Sequence, residues 1–354
     1  MPAGRAIVAK TMRILEVGRT PYLSGYFSGV GVDRFDTGPY QNSTAPEFAG
    51  LLALLRAIGN EKYDLIVCEP NVRRRFDALS RLLFSRRIFS ERPSISSIFA
   101  QQLFRRRLDV PIAVVDMEDH SRIAAADRYL LARCTLYFKR ELPSDEWKLL
   151  NGGDGFAGRS LRSNKPLRAM MEKILPISLG MSPDGEAFAQ SMARPEKTSD
   201  VFFAGNVHGM PERERGLAEL RELAVAGVKV DIPEQRIDRQ EFFRRCAAAY
   251  LVWSPEGYGW DCFRHHEAAA MASVPVINAP SIRPYRPMRH GSECLYYVPE
   301  KGALARTVLA ALENRDDLIA IGRAAREQAL SFKRRSEIGR YVVNETLSRI
   351  RNTG

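Results

Sequence analysis

The chain has 354 residues, 45% of them apolar and 27% charged, and carries a formal charge of +11. That length suits two ordinary domains, each able to bury a core, and the composition is that of a folded globular protein rather than a disordered one. No apolar run approaches a membrane span, the opening MPAGRAIVAKTMRILEVG lacks the apolar stretch of a secretory signal, and the five cysteines (68, 134, 246, 262, 294) are scattered without a CxxC pair. These features argue against a disulfide framework or a thiolate zinc site and lead to the expectation of a reducing, cytoplasmic setting.

In chain order, RILEVG (13–18), YDLIVCEP (63–70), PIAVVDME (111–118) and CTLYFKRE (134–141) predict buried strands, and PEFAGLLALLRAIGNE predicts a helix between the first two. GRTPYLSGYFSGVGVD (18–33) is glycine-rich, but Arg34 stands where a dinucleotide fingerprint needs its third glycine. It is expected to be a flexible loop on the acceptor side, with Tyr22 and Tyr26 either stacking on a ligand or packing in the core. From Arg73 to Arg107 ten arginines face only two acids, Asp77 and Glu91, with phenylalanines interleaved. The segment reads either as solvated helix faces or as a surface for anions such as an inner-membrane face, a phosphorylated acceptor or nucleic acid. NGGDGFAGRSLRSNKP (151–166) interrupts the alternation, and ILPISLGMSPDGE (174–186) reads as a connection between domains.

The alternation then restarts. DVFFAGN (200–206), VKVDI (228–232), YLVWSP (250–255), PVINA (275–279) and CLYYVPE (294–300) predict strands, and RERGLAELRELAVAG (213–227) and DRQEFFRRCAAA (238–249) predict helices. Strands separated by helices make parallel sheets covered on both faces. The expected organisation is an α/β chain with a Rossmann-like domain over residues 1–175, a second over 176–335, and a final helix over 336–354 packing back on the first domain. Open sheets of this kind bind ligands at the carboxyl ends of their strands, so the cleft between the halves is the expected site.

The densest chemistry lies in WSPEGYGWDCFRHHEAAAMASVPVI (253–277). A strand ends at Ser254, Gly257 and Gly259 flank Tyr258 in a turn, Asp261 is a candidate N-cap, and a helix is expected from Cys262 to about Ser273. A helix start suits phosphate. Arg264 and Glu267, three apart, share a face; Arg264 can donate to a pyrophosphate, and Glu267 can accept from two vicinal hydroxyls of a ribose. The alternative is a capped helix with a surface ion pair. One of His265 and His266 is expected to face the cleft, and His208, after Gly205 and Asn206, is within plausible reach of a phosphate.

The order Ser-Pro, glycine-rich turn, Arg, two residues, Glu-Ala, small residues, Pro-Val-Ile resembles the donor-site motif of glycosyltransferases of the GT-B fold, closest to exostosin-like and spore-maturation-type bacterial members. Arg264, Glu267 and Pro275 match its spacing, and DVFFAGNVHGMPERER resembles the opening of the same domain, with Arg213 or Arg215 as its basic residue. The resemblance covers about residues 174–335. Glu256 and Glu267 are separated by ten residues, where the paired-glutamate members have seven, and Ser273 or Val274 replaces a glycine.

The resemblance implies two facing Rossmann-like domains and a nucleotide-sugar substrate held by Gly205, Asn206, Arg213, Ser254, Gly257, Tyr258, Gly259, Asp261, Arg264, His265 and Glu267. No cofactor and no metal are expected. The acceptor, a glycan or a lipid-linked sugar, would lie on the first domain, and a peripheral membrane position through Arg73–Arg107 is an expectation of the same reading. A base is expected in VVDMEDHS (114–121), from Asp119, His120 or Asp116; the alternative there is a polar turn capping a helix. Two rival readings remain: a non-catalytic protein that binds a nucleotide-sugar or glycan, and a basic nucleic-acid-binding protein, although no specific nucleic acid is expected.

Overall fold

The computed structural model describes residues 12–18, 20–25, 27, 30–36, 56, 63–70, 110–123, 128–150, 165–192 and 196–351. The arginine-rich stretch from Arg73 to Arg107, Tyr26, most of the expected first helix and the glycine-rich patch from 151 lie outside these residues. Among the described residues no helix is long and apolar enough to cross a membrane.

Two parallel sheets organise the chain. The first contains β1 (Arg13–Gly18), β2 (Gly31–Asp36), β3 (Leu65–Cys68), β4 (Ile112–Asp116), β5 (Leu136–Lys139) and β6 (Ile174–Pro176), in the spatial order β2-β1-β3-β4-β5-β6. The second contains β7 (Ser199–Phe202), β8 (Val230–Asp231), β9 (Ala249–Trp253), β10 (Val274–Asn278) and β11 (Leu295–Tyr297), in the order β11-β10-β9-β7-β8. β3, β4, β5 and β10 are buried at every position. Their continuous apolar, branched runs are what a strand covered on both faces requires.

Two expectations change here. Residues 31–36, the end of the expected acceptor loop and just beyond it, pair with all six residues of β1 as an edge strand. Its mixed sequence GVDRFD lacks the apolar signal of the central strands, because an edge strand is only half covered. The segment from Ile174 supplies a sixth strand before it becomes a connection, and α3 (Pro183–Ser191) follows, capped by Ser182.

Between these strands lie α1 (Arg128–Arg133), α2 (Lys165–Met171), α4 (Pro211–Val225), α5 (Arg239–Ala248) and α6 (Phe263–Ala270). The chain closes with α7 (Ala303–Leu312), α8 (Arg315–Phe332) and α9 (Arg335–Arg351). α9 returns to the first sheet: Ile338, Val342 and Val343 are buried in one cluster with Ile14, Leu65, Val115 and Phe138. The Tyr341 hydroxyl donates to the Pro176 carbonyl at 3.1 Å. Burying these apolar side chains, each worth about 1.5–3 kcal/mol, fastens the end of the chain to its beginning.

In each sheet the winding direction reverses beside the first strand, between β1 and β3 and between β7 and β9. Crevices form at such reversals, outside the carboxyl ends of the strands. Both candidate cavities lie there.

Candidate functional site

The larger cavity, about 1240 Å³, opens at the ends of β7 and β8 and against the start of α6. β7 runs into Phe203–Asn206, and a Cβ at Gly205 would collide with the Arg264 guanidinium. Glycine at 205 therefore lets that side chain lie flat along the strand end. Arg264 also lies over the Phe203 ring, 5.4 Å from its centroid, and its Nη1 is buried without a hydrogen-bond partner. Arg213, on the first turn of α4, is 7% exposed and donates to two backbone carbonyls, Glu256 at 2.8 Å and Asn206 at 2.7 Å. Burial and the neighbouring Arg264 together hold Arg213 below the usual guanidinium range. Neither arginine forms a salt bridge among the described residues. Arg213 and the half-buried Arg264, side by side and neither in a salt bridge among the described residues, make a cavity poised for an anion.

Glu267, on the second turn of α6, lines the same cavity at 1% exposure. Its Oε1 accepts from Ser182 Oγ at 2.6 Å and from Arg239 Nη2 at 2.5 Å. No bond to its Oε2 occurs among the described residues, which leaves an acceptor fixed in orientation by the other oxygen. Arg239, at the first position of α5, also lies over the Phe243 ring. Sequence reasoning missed Arg239 and Ser182. They belong to segments 28 and 85 residues from Glu267, and only folding brings them to it.

Several expected site residues have other roles. Asp261 is not the cap of α6: that position is Cys262, without a side-chain cap bond. The Asp261 carboxylate turns instead to the connection between the sheets, accepting from Leu179 N at 2.6 Å, Ser178 Oγ at 3.1 Å and His266 Nε2 at 2.8 Å. Burial alone would raise its pKa, but the His266 ring and the Leu179 N–H hold it well below the usual carboxylate range. His265 does not face the cavity. It is fully buried, with Nδ1 at 2.6 Å from Ser254 Oγ and Nε2 at 2.7 Å from the Trp260 carbonyl, so Ser254 is likewise a partner of the histidine and not a cavity group. His266 is buried as well, and desolvation lowers both imidazoles to about 4.

The glycine turn is a joint between the halves. Gly257 lies beside Arg213, Tyr258 is exposed, and a Cβ at Gly259 would meet Arg140 and Glu141 at the end of β5. Glu141, buried, accepts from the backbone N–H groups of Trp260 at 2.8 Å and Asp261 at 3.0 Å, and pairs with Arg140 at 3.1 Å. Arg140 also pairs with Asp119. His208 and Asn206 are exposed, with the His208 N–H bonded to Asn206 Oδ1. Arg215 is half exposed and pairs with Glu212.

The second cavity, about 350 Å³, stands at the carboxyl ends of β1, β3 and β4, and Asp119 lines it. Asp116 does not: 2% exposed, it accepts from Lys139 Nζ at 2.9 Å, Tyr137 Oη at 2.7 Å and the Glu118 N–H at 3.1 Å. A carboxylate saturated by three donors inside the sheet fastens strands together and has no route to a substrate. His120 is exposed, outside the cavity lining. Phe263, the first residue of α6, lines both cavities.

Two parallel-sheet Rossmann-like units with a joint of this kind make the GT-B fold. Solved structures similar to the chain share that architecture. Sucrose-phosphate synthase from Thermosynechococcus elongatus is 13% identical with a TM-score of 0.50, over 97% of this chain and 90% of that one. A glycosyltransferase from Rickettsia africae ESF-5 is 11% identical with a TM-score of 0.50, over 97% and 99%. The N-terminal domain of Candida albicans trehalose-6-phosphate phosphatase is 10% identical with a TM-score of 0.54, over 99% of each chain. No protein-family model and no curated protein matches the sequence.

Proposed function

We propose that the protein transfers a sugar from a nucleotide-sugar to a hydroxyl acceptor. The observation that supports this reading best is the pair Arg213 and Arg264, two guanidiniums with no salt bridge among the described residues, at the head of α6 inside a cavity at the reversal point of the second sheet. In this reading the donor's diphosphate lies against them, and their fixed positive charge, rather than a metal ion, stabilises the departing nucleoside diphosphate. The Glu267 carboxylate, oriented by Ser182 and Arg239, accepts from the ribose hydroxyls through Oε2. Asp119 takes the proton of the attacking hydroxyl. The acceptor is a glycan or lipid-linked sugar, the donor motif is of the exostosin-like and spore-maturation-type kind, and the segment Arg73–Arg107 holds the protein at an anionic inner-membrane face in the cytoplasm.

A thermal-shift panel of nucleoside diphosphates and nucleotide-sugars tests the donor half. A ligand at a hundred times its dissociation constant adds about 2.7 kcal/mol of stability. Glu267→Ala is expected to remove most of the shift from the preferred nucleotide; an undiminished shift moves the ribose contact elsewhere. The rival reading, a binder without turnover, draws on Asp116 and His120 both standing away from the second cavity. It predicts donor binding with no transfer, unaltered by Asp119→Asn.

A further inference from the structure

We propose that the sugar donor carries a guanine base, read by Glu234 together with Arg236 and Arg221 on the β8–α5 side of the larger cavity. The inference rests on the transferase reading above and adds the class of nucleotide that the site selects.

Position supports the assignment. In that reading the diphosphate lies against Arg213 and Arg264 and the ribose against Glu267, so the base falls on the lining that these leave over. That lining is the loop between β8 and α5, which contributes Glu234, Gln235 and Arg236, and one face of α4. Arg213, Leu217 and Arg221 recur four apart on α4 and all line the cavity. At 1.5 Å per residue Arg221 is rooted about 12 Å further along the helix than Arg213, a separation on the scale of a nucleoside. The loop leads into Arg239, whose guanidinium bonds Glu267, so it borders the place assigned to the ribose. Leu217, Ile232, Pro233 and Ile237 add apolar surface for the flat faces of a base.

The polar groups define the class. Glu234, Arg221 and Arg236 are exposed within the open cavity, and among the described residues none of the three has a hydrogen bond, an ion pair or a ring contact. This separates them from Arg239, which pairs with Glu267, and from Asp238, which caps α5. An ionised carboxylate only accepts, and a guanidinium only donates. A carboxylate is best matched by two parallel N–H groups, as in its fork-to-fork pairing with arginine. Guanine presents such a pair, N1–H beside the 2-amino group, and its neighbouring edge offers O6 and N7 to a guanidinium. Uracil places a single N–H between two carbonyl oxygens, and adenine and cytosine place an amino group beside a ring-nitrogen lone pair. In each of these the second carboxylate oxygen would face an acceptor. Glu234 and Arg236, two residues apart in one loop, carry the set that guanine alone completes, which leaves Arg221 to lie over the ring.

The test is calorimetric titration of the full chain with GDP, with inosine diphosphate, which lacks the 2-amino group, and with UDP and ADP. GDP is expected to bind at least about tenfold more tightly than UDP or ADP, with inosine diphosphate between them. Glu234→Gln, which turns one acceptor into a donor, is expected to weaken GDP about tenfold and UDP less than about twofold, and to bring GDP and inosine diphosphate together. The side chain is exposed, so the unliganded melting midpoint is expected to stay that of the parent, and the GDP to inosine diphosphate comparison needs no variant. Equal affinity for all four nucleotides, or UDP tighter than GDP, overturns the inference and leaves the donor reading intact. A preference for GDP that survives Glu234→Gln overturns the assignment to this loop. Binding of no nucleotide removes the donor reading, and this inference with it.

Discussion

The reversal points of the two sheets have the same topology and opposite chemistry. At the second, buried Arg213 leans on two backbone carbonyls and half-buried Arg264 on an aromatic ring, neither in a salt bridge among the described residues. At the first, acids line the opening while the most deeply buried carboxylate, Asp116, is satisfied by Lys139, Tyr137 and a backbone N–H. One site holds charge in reserve and the other has charge already paired. A buried titratable group therefore marks a binding site only when its partners are missing, and a fully bonded one marks a place where the fold is held together.

The broadest test of that contrast is acidification, because the joint between the sites contains His265 and His266, both lowered to about 4 by burial. An unfolded histidine titrates near 6.5, so between these values the unfolded chain binds more protons and stability falls as pH falls. The expected loss is about 3 kcal/mol per histidine from pH 7 to pH 4, read as a falling midpoint in urea denaturation. A flat profile would mean that the imidazoles titrate normally and the joint is open to water.

Asp116→Asn comes next. Removing one partner of a buried ion pair strands Lys139, for an expected cost of about 3 kcal/mol of stability, while the nucleotide-induced thermal shift persists. Activity lost at unchanged stability would make Asp116 a reacting group and erase the distinction drawn here. Arg264→Ala is the mirror case. It is expected to weaken nucleoside diphosphate binding by about a hundredfold, the loss of one charge-assisted contact or two, and to leave the free protein as stable as before, since it removes a guanidinium nitrogen with no partner and relieves Arg213. Calorimetric titration alongside thermal denaturation separates the two effects. The smallest change is expected at Arg239→Ala. Arg239 is itself half exposed and Ser182 still bonds the buried Glu267 carboxylate, so nucleotide affinity should fall only a few-fold through looser orientation of Glu267. A loss as large as that at Arg264 would place Arg239 in contact with the ligand.

The strands at the centre of each sheet were legible because burial on both faces demands continuous apolar runs, and β1, β3, β4, β5, β9 and β10 carry them. The edge strand β2 was not, since half of it faces away from the core and its sequence mixes Asp and Arg with Val and Phe. In the site, Arg264 and Glu267 could be read from their spacing on one short helix. The same spacing misled for Asp261 and His265: an acid before a helix resembles a cap, and a histidine beside an arginine resembles a ligand.

By itself, then, the order of residues determined the alternation of strands and helices, the two parallel sheets and the short helix that carries an arginine and a glutamate on one face, because these follow from periodicity and from contacts within a turn or two. Which polar groups are already satisfied was decided only by the tertiary structure. Asp261 meets Leu179, Glu141 meets the turn before α6, Ser182 and Arg239 meet Glu267, and Phe263 divides two cavities, all through contacts between residues far apart in the chain. Local pattern sets what a side chain can do; its partners across the fold set whether it is left with anything to do.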